Sequence, residues 1–299
     1  LETEKVEIAK RHLIPKQLEK HGLKKCQLTI ADEAIVELIR GYTHEAGVRE
    51  LERETAAVCR KAAMDIGSGK ARVRVGKQKL AAYLGAPKYT HGAIDAINEI
   101  GLANGLAWTS FGGETLQIEV QIVPGSGQVI LTGKLGDVMQ ESAKAALTFI
   151  KAHAEEFGIT LPLDKKDIHL HVPEGAVPKD GPSAGITIMT AMLSALSGIP
   201  ARADTAMTGE ITLRGRVLEI GGLREKLLAA YRAGIKRVLI PKANEKDLSD
   251  VPDEVKANME IIGVASAFDV IPLALEHTPQ KTADAFIPQH AHSGAAAAQ

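Results

Sequence analysis

Pro178-Lys179-Asp180-Gly181-Pro182-Ser183-Ala184-Gly185 runs directly into the apolar stretch Ile186–Leu196. Two prolines and two glycines in eight residues make a stiff, sharply turned approach. Pro182 and Ser183 suit the cap and first turn of a helix, and the run that follows is apolar on every face, so that helix is expected to be buried. Upstream, Ile168–Val172 reads as a strand feeding the loop. The stretch therefore predicts a serine held at the mouth of a buried helix, where free backbone N–H groups could stabilise an oxyanion.

A serine hydroxyl is a weak nucleophile at neutral pH and needs a neighbouring base to take its proton. Gly221-Gly222-Leu223-Arg224-Glu225-Lys226-Leu227-Leu228 supplies a candidate. Leu223, Leu227, Ala230 and Gly234 recur at helical spacing, and Lys226 lies three residues after the first and four before the third, so its stem borders the buried stripe. Burial lowers a lysine pKa, and the positive end of a helix disfavours an ammonium further. Taken alone, Lys226 also reads as an ordinary lysine at the edge of an amphipathic helix, and Ser183 as an ordinary cap. Taken together they point to serine–lysine peptidase chemistry without a histidine.

Two other motif readings fit poorly, one by context and one by spacing. Gly181-Pro182-Ser183-Ala184-Gly185 satisfies the G-x-S-x-G pattern, but a nucleophile elbow needs a strand running straight into the turn and an acid and a histidine later in the chain. Here a loop intervenes, and the later histidines are His277, His290 and His292. A phosphate-binding loop needs four residues before its Gly-Lys pair and then Ser or Thr. Gly127 to Gly133-Lys134 has five and continues into Leu135, whereas Gly67-Ser68-Gly69-Lys70 continues into Ala71.

The blocks His169–Gly185, Met207–Gly215 and Gly221–Lys226 closely resemble the Lon ATP-dependent proteases. Gly105-Leu106-Ala107-Trp108-Thr109, Val123–Gly127 and Leu135–Ala143 agree with them. The likeness covers about Leu1 to Leu275. It implies Ser183 as nucleophile and Lys226 as general base, with Thr208 bonding the lysine and Asp180 at the mouth of the site. Glu210 follows Thr208 by two on a strand, which fits either a place along the same groove or an exposed strand carboxylate. Gly47-Val48-Arg49-Glu50-Leu51-Glu52-Arg53 resembles the second sensor motif of the small helical subdomain in AAA+ ATPases, which implies that Arg49 reaches nucleotide phosphates once an ATPase core is present. With no phosphate loop and a start at Leu1, the chain reads as a C-terminal fragment lacking that core.

The fold expected is α+β: an all-α AAA+ small subdomain over 1–85, a connector over 86–104, an α/β Lon-type peptidase domain over 105–278, and a disordered tail over 279–299. In the first part, Asp32 and Glu33 open a helix stopped by Gly41, and a second helix starts at about Ala46. In the peptidase part, Leu116–Val123 and Gln128–Leu131 flank a Gly125-Ser126-Gly127 turn, a long helix runs from Asp137 to Phe157, and Ile211–Leu213 and Val217–Ile220 form a hairpin. Val238–Ile240 and Met259–Val264 are the later strands.

Composition sets the outer limits. At 299 residues and 45% hydrophobic there is material for two cores, and with only 3% aromatics the packing rests on aliphatic side chains. Basic residues exceed acidic ones up to Gly85 and the balance reverses after it, without the pattern of a nucleic-acid binder. Two cysteines, Cys26 and Cys59, make no disulfide framework and favour a reducing compartment. The sequence has no signal-peptide pattern, and its longest apolar run is too short to cross a bilayer. His169 and His171 share one face of a strand but lack a third ligand, so no metal is expected.

The function expected is a serine endopeptidase acting on unfolded or misfolded polypeptides as the proteolytic part of an ATP-dependent machine. The resemblance adds a homo-hexameric ring and a bacterial cytoplasmic location, with the mitochondrial matrix as alternative. Peptide hydrolysis would need no cofactor, and ATP and Mg are implied for the ATPase core alone. The rival reading is a non-catalytic, Lon-like ring-assembly module, with the nucleophile elbow a distant third.

Overall fold

In the computed structural model the described residues are 2–45, 47–89, 97–109, 112–173 and 178–280. The tail over 281–299, Glu174 of the serine loop, part of the connector and Ala46 lie outside them.

The first unit is helical. Helix α1 (Glu2–Ile8) continues through a widened π turn, Ala9–Leu13, into α2 (Ile14–Lys20). After β1 (Leu28–Ile30) come α3 (Asp32–Tyr42), α4 (Arg49–Gly67), β2 (Val73–Val75) and α5 (Lys77–Leu84). Helix α3 runs through Gly41 to Tyr42. The core of this unit gathers Ile35, Leu38, Leu51, Val58 and Leu80, each at most 2% exposed in one cluster. The unit is not purely helical, because β1 and β2 pair in parallel, Leu28 opposite Val73.

The second unit is built on one seven-stranded sheet in the order β11-β10-β7-β3-β4-β6-β5. Its elements are β3 (Leu102–Thr109), β4 (Gly112–Pro124), β5 (Val129–Thr132), α6 (Asp137–Ala152), β6 (Lys166–His171), α7 (Gly185–Ser197), β7 (Thr205–Met207), β8 (Glu210–Ile211), β9 (Val217–Leu218), α8 (Leu223–Arg232), β10 (Arg237–Pro241), α9 (Asp253–Asn258), β11 (Glu260–Val264) and α10 (Ala267–Ala274). Strand β3 begins three residues inside the stretch expected as connector. Only β4 runs against its neighbours; the other pairings, β5–β6, β3–β7, β7–β10 and β10–β11, are parallel. β8 and β9 make a separate two-residue ladder, shorter than the hairpin foreseen.

Strand composition shows which faces are covered. Val238-Leu239-Ile240 of β10 is buried throughout, as a parallel strand with helices on both faces must be. Strand β4 alternates instead: Ile118 and Val120 are buried while Glu119 and Gln121 face solvent. One face of the sheet packs on α6, α7 and α10 through Ala143, Ile150, Ile186, Met189 and Val270. The other is covered over β3, β7, β10, β11 and the Gly113 end of β4, by Leu223, Leu227 and Ala230 of α8 and by Val255 of α9. Helix α8 thus lies at the border between the covered and open halves of that face.

Candidate active site

Ser183 sits in a single 3-10 turn, Pro182–Ala184, that leads into α7. Gly181, before the turn, has φ +123°, a conformation open to glycine and strained for any other residue. The helix behind the serine is anchored by burial, with every residue from Gly185 to Ser194 inaccessible. In front, the turn is stitched to the chain that leaves β7. The Gly209 N–H donates to the Ser183 carbonyl at 2.8 Å, and the Ile186 N–H donates to the Gly209 carbonyl at 3.1 Å. Gly185 must be small, since a Cβ there would lie 2.7 Å from the Ile211 nitrogen.

Thr208 is wholly buried between this turn and β10, and its own N–H donates to the Leu239 carbonyl at 3.1 Å. Its hydroxyl donates to the Ser183 carbonyl at 3.2 Å and accepts from the Lys226 amine at 3.1 Å. A single hydroxyl therefore joins the lysine of α8 to the serine turn of α7. Among the described residues the amine has no carboxylate partner, and the Ser183 hydroxyl, half-buried, makes no hydrogen bond.

Lys226 is only 2% exposed, so its stem does not snorkel. A cation held there without an anion is costly, and burial pulls the amine down to about 8. At neutral pH an appreciable fraction of the amine is unprotonated and able to accept a proton. That is the requirement a lysine base has to meet.

The lysine is positioned by a contact that sequence reasoning missed. The β3–β4 hairpin lies on the backbone of α8: a Cβ at Gly113 would fall 1.9 Å from the Glu225 carbonyl oxygen and 2.9 Å from the Lys226 nitrogen. Arg232, at the far end of α8, donates to the Gly113 carbonyl at 2.7 Å. On the strand opposite, Trp108 packs at Gly222, which begins α8 with φ +68°. Paired glycines inside a strand are a legible sign of close backbone approach, and Gly112-Gly113 carries that sign.

Three of the expected site residues come together: Ser183, Thr208 and Lys226. Asp180 does something else. Its carboxylate accepts from the Met139 and Gly181 N–H groups, at 3.1 and 2.8 Å. It thereby caps α6, whose own Gly136 has no side chain to do so, and ties the serine loop to that helix. The backbone reinforces the tie, with Lys179 bonded to Lys134 and to Gly136. Glu210 is half-buried on the β8–β9 ladder opposite Leu218, beside the start of α7. Arg49 is exposed as the first residue of α4, in the helical unit. His169 and His171 share one hydroxyl, Thr132, at 3.0 and 2.7 Å, and no group of three or more metal-ligating side chains occurs among the described residues.

Comparison with known proteins shows the family. The profile of the Lon protease (S16) C-terminal proteolytic domain matches residues 74–277, and that of the Lon protease AAA+ ATPase lid domain matches residues 19–75. The chain belongs to the Lon protease family. It is 57% identical over 279 residues to a Lon protease of Nitratidesulfovibrio vulgaris, an alignment covering 92% of this chain and 34% of that protein. Identity is 56% over 278 residues to that of Azospirillum brasilense, with 92% and 34% covered, and 54% over 281 residues to that of Escherichia coli K12, with 93% and 36% covered. The chain thus spans about a third of the length of these Lon relatives. The Lon proteolytic match takes in Ser183, Thr208, Lys226 and the Gly113 hairpin, and the lid match takes in Arg49. No described helix is long and apolar enough to cross a membrane.

Proposed function

We propose that the chain is a serine endopeptidase in which Ser183 is the nucleophile and Lys226 the general base. The observation that carries this reading is a buried lysine, unpaired with any carboxylate among the described residues and linked through one hydroxyl to the turn that presents a serine. The neutral Nζ of Lys226 takes the proton as the Ser183 Oγ attacks the scissile carbonyl carbon. The ammonium then protonates the departing amine, the C–N bond breaks, and an acyl-enzyme ester remains. Water attacks the ester with its proton passing to Nζ, the ester C–O bond breaks, and the proton returns to Oγ. Thr208 orients the amine throughout.

No cofactor enters these steps. In the longer protein the substrates are unfolded or misfolded polypeptides delivered by an ATP- and Mg-dependent unfolding core, within a homo-hexameric ring in the cytoplasm. A peptide boronate or a serine-reactive phosphonate tests the chemistry. Capture at Ser183, lost in Lys226→Arg, supports it. Absence of capture at high reagent concentration returns the reading to an assembly module.

A further inference from the structure

The hairpin that lies on Lys226 is also held from the other side, by the helical unit. Glu114, next to Gly113, accepts a hydrogen bond from the His44 Nε2 at 3.1 Å, with both side chains 36% exposed. The His44 ring packs against that of Tyr89, with centroids 5.3 Å apart. His44 in turn belongs to the cap of α4. Its backbone N–H donates to the Glu50 carboxylate at 2.9 Å, and the neighbouring Glu45 carboxylate accepts from the Glu50 and Leu51 N–H groups at 2.9 and 2.8 Å. Arg49, the first residue of α4, stands within this cap.

Each step of this chain of contacts is short. The start of α4 fixes His44, His44 fixes Glu114, and Gly113 meets the backbone of Glu225 and Lys226 with no side chain between to absorb movement. Arg232 closes the clasp on the Gly113 carbonyl. Coupling across a protein is carried by contiguous packed and hydrogen-bonded elements of this kind. The catalytic reading gives α8 one buried amine to hold within hydrogen-bond reach of Thr208, so a small displacement of α8 acts directly on the base.

We propose that His44 and Glu114 are positioning residues, forming a strut through which the start of α4 sets the placement of Lys226. This rests on Lys226 being the base, and it adds that the site is held in part from outside the sheet that builds it. Movement of the α4 cap is then felt at the amine.

The test is a double-mutant cycle on the full chain with His44→Ala, Glu114→Gln and the pair. Amide hydrogen exchange of α8 from Lys226 onward, measured with Ser183→Ala in the background, reads the strut without any catalysis. Each single change should speed exchange about fivefold, the scale of one contact's coupling energy, and the pair should do no more than either alone. With Ser183 present, kcat should fall while KM stays near wild type, and the exchanged pair His44→Glu with Glu114→His should recover part of the loss. Unchanged exchange in α8, or losses that simply add in the double variant, overturns the strut. Failure of Ser183 to react with the phosphonate overturns the catalytic reading instead and leaves the exchange result to be judged separately.

Discussion

Helices α7 and α8 carry the two halves of the candidate dyad and are held in opposite ways. Helix α7 is buried on all sides, and its serine turn is stitched to the chain after β7 by backbone hydrogen bonds. Helix α8 buries one stripe, Leu223, Leu227 and Ala230, and leaves Arg224 and Arg232 outside. Its lysine stays in place because the apolar stripe docks on the sheet and a glycine hairpin rests on its backbone. Ser183 is therefore located mainly by backbone hydrogen bonds, and Lys226 mainly by packing that side-chain bonds from Arg232 and to Thr208 close.

The largest expected effect falls on both helices alike. Ser183→Ala removes the nucleophile, and Lys226→Arg replaces the amine by a guanidinium that stays protonated at any workable pH. Each should lower peptide hydrolysis at least about 10⁴-fold. In the wild type kcat/KM should rise with pH and level off above about 8, where the buried amine is neutral. Substantial cleavage by the arginine variant, or a profile flat between pH 6 and 9, breaks the serine–lysine assignment.

Gly113→Ala probes the packing side. A methyl group 1.9 Å from a backbone oxygen has no side chain to displace, so the hairpin and α8 must part. A shift near 1 Å at the base is expected to cost about 100-fold in kcat/KM. Because Ser183 is anchored separately, the serine turn should keep its amide protection. Loss of protection in α7 as well would show that the two helices are not held independently.

Lys226→Met trades activity for stability. The lysine titrates near 8 when folded and near 10.5 when unfolded, so at neutral pH folding works against burial of an ammonium. Unfolding free energy of the wild type should climb by about 3 kcal/mol between those two values, as the folded state sheds a proton that the unfolded chain keeps. The methionine variant has no such climb and should be the more stable protein at pH 7. Urea titration at pH 7 and at pH 10 reads the difference directly.

Two smaller effects sharpen the picture. Thr208→Val keeps the shape and removes the link between amine and serine turn; a lost orienting bond should cost about tenfold in kcat, and Thr208→Ser should restore most of it. Asp180→Ala removes the cap on α6 and should cost about 1 kcal/mol of stability, with a few-fold change in activity. A loss as deep as that of Lys226→Arg would mean that Asp180 touches the reacting groups.

Much of this was legible because it is local. The apolar run after Ser183, the alternation in β4 and the stripe of α8 each reveal an element and its buried face within a dozen residues. Ser183 and Lys226 stand out from their own helices, whereas Thr208 is named only through the resemblance to the Lon family. What escaped depends on distant pairing. Asp180 looks like a site residue from its place in the loop, yet its carboxylate belongs to a helix some forty positions upstream. Neither the clasp on α8 nor the His44–Glu114 contact leaves a pattern in any short window beyond the paired glycines. The helix expected to reach Phe157 stops at Ala152, with the chain turning through His153 to Gly158 before the next strand.

The sheet order also governs when the site can exist during folding. Strands β4 and β5 are separated by a four-residue turn, yet they do not pair, because β6 takes the place between them. The easy local hairpin is thus forgone for partners about forty to fifty residues away, and Gly113, Ser183, Thr208 and Lys226 meet only once the sheet is assembled and α8 has docked. Such non-local closure is slow relative to helix formation. A chain still collapsing has Ser183 and Lys226 but no buried amine bonded to Thr208, so on the proposed mechanism it stays inactive until the last long-range contacts are made. Peptidase activity returning ahead of sheet protection in a refolding time course would contradict that order.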